Sequence, residues 1–235
     1  MLKMTTFASS SEGNMYLLES RKAKILIECG LEKIAIRKKL MGAKSLLITD
    51  LDCCLVTHAH QDHCKNIEYI AEYIDVYSNI EVADKYENVK YIAPMKPFEI
   101  KDVTVMPILV EHGLATNYAY IFKSEGEYLF FGTDFSIMKQ NLSKIKFSEI
   151  YIELNYDDEE MKKILDNMSE ENRKKNIRQI STHMSKENCK EHLRHMNLEK
   201  CKAIHLLHLS KFLTNKKKIQ EEFENEFKIK TIVES

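Results

Sequence analysis

The segment His58-Ala59-His60-Gln61-Asp62-His63 constrains this chain more than any other part of its sequence. It follows the apolar segment Cys54-Leu55-Val56-Thr57, which has the length and composition of a buried strand. Three imidazoles and one carboxylate then fill four of six positions, where they can converge on one small volume. These groups are ligands that zinc, manganese and iron accept. The pattern predicts a metal site rather than a solvated polar loop.

Three more ligand-type side chains each stand at the end of a β-type segment, namely His112, Asp134 and His208. Together with the first cluster they give enough ligands for two divalent metal ions, with zinc or manganese as the expected metals. The seven candidate metal ligands are His58, His60, Asp62, His63, His112, Asp134 and His208.

The spacing of apolar residues predicts a layered α/β fold. Short β-type segments indicate strands at 24–27, 54–57, 103–106, 118–122, 128–131, 149–153 and 203–207. Amphipathic periods indicate helices at 31–41, 67–74, 161–168, 189–196 and 219–227. Because strands and helices do not alternate strictly, two packed sheets with outer helices are favoured over a doubly wound fold. The length suits one domain over 1–235, with a charged helical excursion at 157–178.

Composition limits the classes of partner and compartment. The formal net charge of -1 provides no global basic field, so a nucleic-acid substrate would need a local basic patch. The six cysteines form no CxxC pair and are expected to be free thiols. We find neither an apolar leader nor about 20 consecutive apolar residues, so the expectation is a cytoplasmic protein without a membrane partner.

The order of these motifs resembles the metallo-β-lactamase superfamily. The resemblance extends over about 4–215 and depends on four motifs in order: HxHxDH after a strand, a lone His, a Gly-Thr-Asp and a late His. The resemblance implies an αββα four-layer sandwich. It also implies that His58, His60 and His112 hold one metal, that Asp62, His63 and His208 hold the other, and that Asp134 bridges them.

Within this superfamily the sequence is most similar to the YycJ/WalJ-type group of DNA exonucleases. Four segments carry the similarity: Ala8-Ser9-Ser10-Ser11-Glu12-Gly13-Asn14, Tyr151-Ile152-Glu153-Leu154-Asn155, Thr182-His183-Met184-Ser185 and His208-Leu209-Ser210-Lys211. One departure is Glu28, where members of the group usually have Asp.

His183 resembles an extra histidine that ribonuclease Z and related nucleases place beside their metals, and Glu153 would be its acidic partner. The resemblance implies that His183 is a general acid or a phosphate contact, because the leaving oxygen of a phosphodiester must gain a proton. The alternative is a surface or helix-capping histidine before Ser185. The candidate catalytic residues are Asp62, His183 and Glu153.

Other residues favour structural roles. His192 and His195 are expected on an exposed helix face, His205 in a packed or surface position, and Cys64 in the interior. A basic cluster before His183 would either follow the phosphates of a substrate or form a solvated helix face: Arg173, Lys174, Lys175 and Arg178.

The resemblance implies a metal-dependent phosphodiester hydrolase, of DNA-exonuclease type, with a metal-bridging hydroxide as nucleophile. His60 disfavours a flavodiiron protein, because that class typically has an acidic residue at this position. Asp134 disfavours a di-zinc β-lactamase, because that class typically has a cysteine there. The alternatives are a cyclic-nucleotide phosphodiesterase, a thioester hydrolase of the glyoxalase II type, or a binding module without activity. The expected partner is a nucleic-acid or nucleotide substrate, and a homodimer is expected by analogy with relatives.

Overall fold

The computed structural model describes residues 1–210, 213 and 215–234, without the side chains at 175, 176, 178 and 179. Among these residues, strands form two β-sheets and eight α-helices accompany them. The chain divides into two compact units. Unit 1 contains Met1–Leu109 and Ala115–Glu127, and unit 2 contains Val110–Leu114 and the described residues from Tyr128 onward. The single domain that the length favours stays a prediction.

The first sheet lies within unit 1 and has six strands in sequence order: β1 (Lys3–Ala8), β2 (Met15–Glu19), β3 (Lys24–Ile27), β4 (Cys53–Leu55), β5 (Val76–Ser78) and β6 (Val89–Tyr91). β1, β2 and β3 are antiparallel, whereas β3 to β6 are parallel. Parallel strands end at a common edge of their sheet. The segments after β3 and β4, which begin with Glu28 and Val56, therefore start side by side.

β4 lies between two parallel neighbours, and all three of its residues are buried. Such strands have continuous apolar sequences because both faces are covered. The helices of unit 1 are α1 (Lys33–Lys44), α2 (Gln61–Cys64), α3 (Ile67–Ala71) and α4 (Ile80–Lys85). Ile36 and Leu40 of α1 and Ile70 of α3 share one apolar core with Cys54. This core supports the start of the HxHxDH segment.

Unit 1 also contains β7 (Phe98–Ile100), most of β8 (Val103–His112) and β9 (Ala115–Ser124). β7 and β8 are antiparallel, with Phe98 opposite Val105. β8 enters unit 2 at Val110 and ends at His112, one of the predicted ligands.

Unit 2 is built on four parallel strands: β10 (Glu127–Gly132), β11 (Glu149–Glu153), β12 (Ala203–Leu207) and β13 (Lys230–Val233). Its helices are α5 (Asp158–Asp166), α6 (Glu170–Ile180), α7 (Lys186–His195) and α8 (Lys216–Phe227). Gly132 pairs with Ile152, and Glu153 pairs with Leu207. This register places Asp134, Glu153 and His208 at the same edge of the strands.

The six cysteines are free thiols, as their irregular spacing predicts. Cys64 is fully buried, and its thiol lies 3.3 Å from the main-chain oxygen of Ala59. Cys64 is therefore part of the packing, in agreement with the sequence-based expectation.

None of the described helices combines the length and the apolar character that crossing a bilayer requires.

Candidate metal centre

The segment after β4 brings four ligand-type side chains of unit 1 together. His58 and His63 are buried, Asp62 is half-buried and His60 is exposed. His58 Nε2 lies 2.9 Å from His60 Nδ1, and the ring centroids of His58 and His63 are 4.3 Å apart. Asp62 Oδ2 lies 3.2 Å from His63 Nε2. The cluster therefore converges on one small volume of unit 1.

Side chains behind the cluster orient its buried imidazoles. The Thr57 hydroxyl and His58 Nδ1 are hydrogen-bonded at 2.9 Å, and Glu28 Oε1 lies 3.3 Å from His63 Nδ1. Burial raises the pKa of Glu28, and the opposing effects of His63 and Thr57 do not cancel this rise. Glu28 also has a positive φ of 65°, a conformation that favours glycine. The Glu that replaces the usual Asp thus still reaches a candidate ligand.

Asn14, far away in sequence, fixes the start of α2. Its main-chain N–H donates to the main-chain oxygen of Asp62 at 2.8 Å, and its Nδ2 lies 3.1 Å from His63 Nε2. Gly30 packs against the same peptide, so that a Cβ at this position would lie 1.7 Å from the Asp62 oxygen. The segment Ala8–Asn14, which carries part of the family resemblance, therefore supports the first cluster. Asn14 is not among the residues that the sequence predicts for this site.

A second cluster lies within unit 2 at the ends of its parallel strands. Asp134, Glu153, His183 and His208 each offer a ligand atom, and these atoms all lie within 4.8 Å of one another. His208 Nδ1 lies 3.0 Å from Asp134 Oδ1 and 3.4 Å from Glu153 Oε1. Asp134 and His208 both have a φ of 53°. Left-handed conformations at residues other than glycine are rare, and they concentrate at functional sites.

His183 and Glu153 form a close pair inside this cluster. His183 Nδ1 lies 2.7 Å from Glu153 Oε1, while Glu153 Oε2 accepts a hydrogen bond from the Phe135 N–H at 2.6 Å. Burial lowers the pKa of His183, but the charge and hydrogen bond of Glu153 outweigh burial and raise it overall. Burial likewise raises the pKa of Glu153, but His183 and His208 outweigh it and lower the pKa. The N-cap of α7 is Ser185, so His183 does not cap this helix.

His112 and His208 also have hydrogen-bond partners outside the metal clusters. His112 Nδ1 lies 2.9 Å from the carbonyl oxygen of Thr182, and the His112 ring is 5.1 Å from the His183 ring. Burial lowers the pKa of His112. The Asn155 side chain donates to the His208 carbonyl oxygen at 2.9 Å. The bond at His112 Nδ1 fixes the orientation of that imidazole, a typical arrangement for histidines that bind metals.

The remaining histidines take structural positions. The expectation that His192 is exposed is wrong, because its ring is half-buried with its centroid 5.8 Å from that of Phe135. Burial lowers the pKa of His192. His195 is exposed as expected, and the buried His205 stacks on Tyr151 at 3.9 Å. The helical period of α7 does not predict that Phe135, from another segment, packs against the His192 ring.

The basic cluster before His183 is only partly described. Arg173 and Lys174 pair with carboxylates of the α5–α6 segment at 3.7 and 2.9 Å. These two residues thus behave as a solvated helix face with local ion pairs. The side chains of Lys175 and Arg178, and Lys211 at the end of the last segment of resemblance, lie outside the described residues.

The donor chemistry of the clusters suits divalent cations. The unit 2 cluster contains two predicted metal ligands, the buried Asp134 and His208, beside the Glu153–His183 pair. The unit 1 cluster combines three imidazoles and a carboxylate. Mixed nitrogen and oxygen donors are the ligands that Zn²⁺ and Mn²⁺ accept. The protein therefore has a histidine and aspartate cluster with the composition of a divalent metal site.

The fold and the clusters define a protein of the metallo-β-lactamase fold whose histidine and aspartate side chains suit divalent metal ions. The sequence profile of the family described as β-lactamase superfamily domain matches residues 23–206, and the chain belongs to this family. Among solved structures, the metallo-β-lactamase fold protein YhfI from Bacillus subtilis is similar, with a TM-score of 0.74 and 17% sequence identity. The similarity covers 99% of this chain and 95% of YhfI. The predicted fold is thereby confirmed.

Curated relatives with significant similarity are exonucleases. Exodeoxyribonuclease YycJ of Bacillus anthracis is 28% identical over 176 residues, which cover 68% of this chain and 66% of YycJ. Exodeoxyribonuclease WalJ of Streptococcus pneumoniae serotype 2 is 35% identical over 92 residues, which cover 38% of this chain and 34% of WalJ. The chain thus matches about a third of WalJ and just under two thirds of YycJ. The similarity to the YycJ/WalJ-type group is confirmed at modest identity.

Proposed function

We propose that the chain is a metal-dependent phosphodiester hydrolase that degrades DNA as an exonuclease. The observation that carries this proposal is the His183–Glu153 pair, whose 2.7 Å hydrogen bond joins a half-buried imidazole to a fully buried carboxylate. A phosphodiester has an alkoxide leaving group that needs a proton, so a positioned acid is useful. A thioester has a thiolate leaving group that does not require one. The exonuclease activity named for YycJ and WalJ supports the same choice.

The metals in this proposal are two divalent ions, Zn²⁺ or Mn²⁺. They would be held by the seven predicted ligands, with Asp134 shared between them: His58, His60, Asp62, His63, His112, Asp134 and His208. When bound, such ions act as Lewis acids and increase the acidity of coordinated water. Asp62 belongs to this ligand set and also to the proposed catalytic set.

The residues of unit 2 have distinct tasks in the proposed reaction. Glu153 is a positioning residue, because it holds His183 at Nδ1 and is itself held by the Phe135 N–H. His183 then has Nε2, on the opposite side of its ring, from which a proton can pass to the departing oxygen. The carboxylate is anchored in the interior, so it limits rotation of the imidazole.

The leaving group distinguishes a general acid from a structural histidine. We expect His183→Ala to lower kcat on DNA by about 10²- to 10⁴-fold while metal content is retained. On thymidine 5′-p-nitrophenyl phosphate the loss should be below about tenfold, because p-nitrophenolate departs without a proton. His195→Ala is the matched control, since His195 is an exposed histidine of α7. Equal losses on both substrates, or loss of metal, would assign His183 a structural role.

The substrate class is tested with a panel for the zinc- and manganese-loaded protein. It contains end-labelled single- and double-stranded DNA, RNA, cyclic mononucleotides and a glutathione thioester. Stepwise shortening of DNA supports the proposal. Turnover of cyclic nucleotides or the thioester alone would replace it with another hydrolase of the same fold, and turnover of none would indicate a binding module.

A further inference from the structure

A groove on unit 1 lies away from the residues discussed so far. α1, the segment after it and α3 form its walls, and we call it the α1 groove. Its volume is about 640 Å³. The residues on which the argument depends are Ile34, Arg37, Lys38, Met41, Leu47 and Tyr73. None of the residues that line it is a candidate metal ligand.

The α1 groove exposes large apolar side chains. Ile34 is 67% exposed, Leu47 55%, Met41 49% and Tyr73 47%. These are four of the twelve large hydrophobic residues that are exposed within the described chain. Scattered exposed hydrophobic residues are ordinary, whereas several in one concave surface indicate a binding surface.

The charged side chains that line the α1 groove are basic. α1 contains five basic residues and no acidic residue. Three of the five are engaged within unit 1: Lys39 donates to a carbonyl oxygen, Lys44 pairs with a carboxylate and Lys33 lies over a tyrosine ring. Arg37 and Lys38 are exposed and line the groove, and neither makes an ion pair within the described ranges. Among the residues that the structure describes, no carboxylate lines the groove.

We propose that the α1 groove docks an acidic amphipathic helix of a partner protein. The apolar face of such a helix would cover Ile34, Met41 and Leu47, while its carboxylates would pair with Arg37 and Lys38. This is the arrangement by which amphipathic helices bind apolar grooves. A nucleic acid would be better matched by dense cations and flat aromatic faces, whereas most of the apolar lining here is aliphatic. A planar membrane surface would not reach the concave floor.

The probe for this surface is a synthetic helical peptide with leucine at i, i+3, i+4 and i+7 and glutamate at most other positions. We expect it to bind with a micromolar Kd in fluorescence anisotropy. Met41→Glu and Arg37→Glu should each weaken binding by about tenfold or more, which corresponds to about 1.4 kcal/mol. Raising the salt concentration should weaken binding as well, because the pairs are exposed.

Two controls make the result specific. Ile80→Glu places the same charge at an exposed apolar residue outside the groove, and it should leave binding unchanged. The hydrolytic activity and the thermal midpoint of every variant should match those of the parent protein, since no groove residue belongs to the proposed catalytic set.

Four results would overturn the proposal: absence of binding, equal binding of a peptide with lysine in place of glutamate, binding that Met41→Glu leaves intact, or preferential binding of a single-stranded oligonucleotide or anionic vesicles at this surface. Failure of the proposed hydrolase function would appear in the substrate panel and would leave this test unaffected.

Discussion

At the scale of residues, hydrogen bonds to one ring nitrogen set the orientation of several histidines. His58, His112 and His183 each use Nδ1, with Thr57, Thr182 and Glu153 as respective partners. In each case a bond at Nδ1 directs Nε2 to the opposite side. An imidazole held in this way loses little rotational freedom when it binds an ion or moves a proton.

Gly30 is expected to be essential for the conformation of the HxHxDH segment. A Cβ there would meet the Asp62 backbone at 1.7 Å, so Gly30→Ala must displace main chain and should destabilise the protein by at least about 2 kcal/mol. Gly42→Ala is the matched control, because Gly42 lies in α1 and its added Cβ would meet no atom within 4 Å beyond its own helix backbone and chain neighbours. It should be neutral or stabilise by about 0.5–1 kcal/mol. Urea unfolding would measure both, and equal effects would contradict this account.

The sequence predicts the types of ligand, but it does not predict the contacts by which Asn14, Glu28 and Gly30 hold the first cluster in place. The density of His and Asp after β4 is a local signal, so the first cluster can be predicted from the sequence. Asn14, Glu28 and Gly30 meet that cluster through pairings between segments that are distant along the chain. No local pattern encodes such contacts.

At the scale of elements, ion pairs connect three helices of unit 2. Asp157, the N-cap of α5, accepts from Lys186 of α7 at 2.5 Å, and Lys186 also lies 3.2 Å from Glu222 of α8. Burial raises the pKa of Asp157, but Lys186 and the main-chain N–H groups of α5 outweigh it and lower the pKa overall. The ionised carboxylate is thus favoured in the folded state.

This shift predicts an acid-dependent loss of stability. Since the folded-state pKa of Asp157 lies below its ordinary value, its contribution is present above that value and is lost as the pH falls through the folded-state pKa. Asp157→Asn keeps a good N-cap but removes the charge, and should cost about 1–3 kcal/mol at pH 7. Urea midpoints from pH 7 to 3 should show this difference shrink. Asp84→Asn, at an exposed position of α4, should cost nothing; a pH-independent Asp157→Asn difference would contradict the linkage.

The elements themselves were predicted unevenly. Strands 24–27, 149–153 and 203–207 agree with β3, β11 and β12, because their apolar residues are continuous. The helix expected at 67–74 ends at Ala71, and the short strands β5, β6 and β7 were not anticipated. Strands of three residues are stabilised by their neighbours in the sheet, so their own sequences carry little signal.

At the scale of the whole molecule, each compact unit carries part of the predicted ligand set. Unit 1 contains His58, His60, Asp62 and His63, and unit 2 contains the other three predicted ligands. The order of motifs along the chain was sufficient to predict the family and the fold. Substrate choice depends on surfaces around the site, which motifs do not describe.

Metal removal is expected to destabilise the protein. Ions that bind the native state alone stabilise it by about 2.7 kcal/mol at 100 times the Kd. For a chain of this size, chelation should therefore lower the thermal midpoint by about 5–10 °C. Differential scanning fluorimetry with and without a chelator would measure the shift. An unchanged midpoint after verified metal loss would contradict the coupling of metal binding to stability.

Hydrolysis of 5′- and 3′-end-labelled DNA by the metal-loaded protein tests the proposed exonuclease activity directly. The reaction is followed over time beside Asp134→Ala, with metal content measured for both proteins. We expect stepwise shortening of the DNA by the parent protein. We also expect loss of both turnover and metal in the variant, because Asp134 is the proposed shared ligand. Undiminished turnover in the variant, or no cleavage by a fully metal-loaded parent protein, would contradict the proposed function.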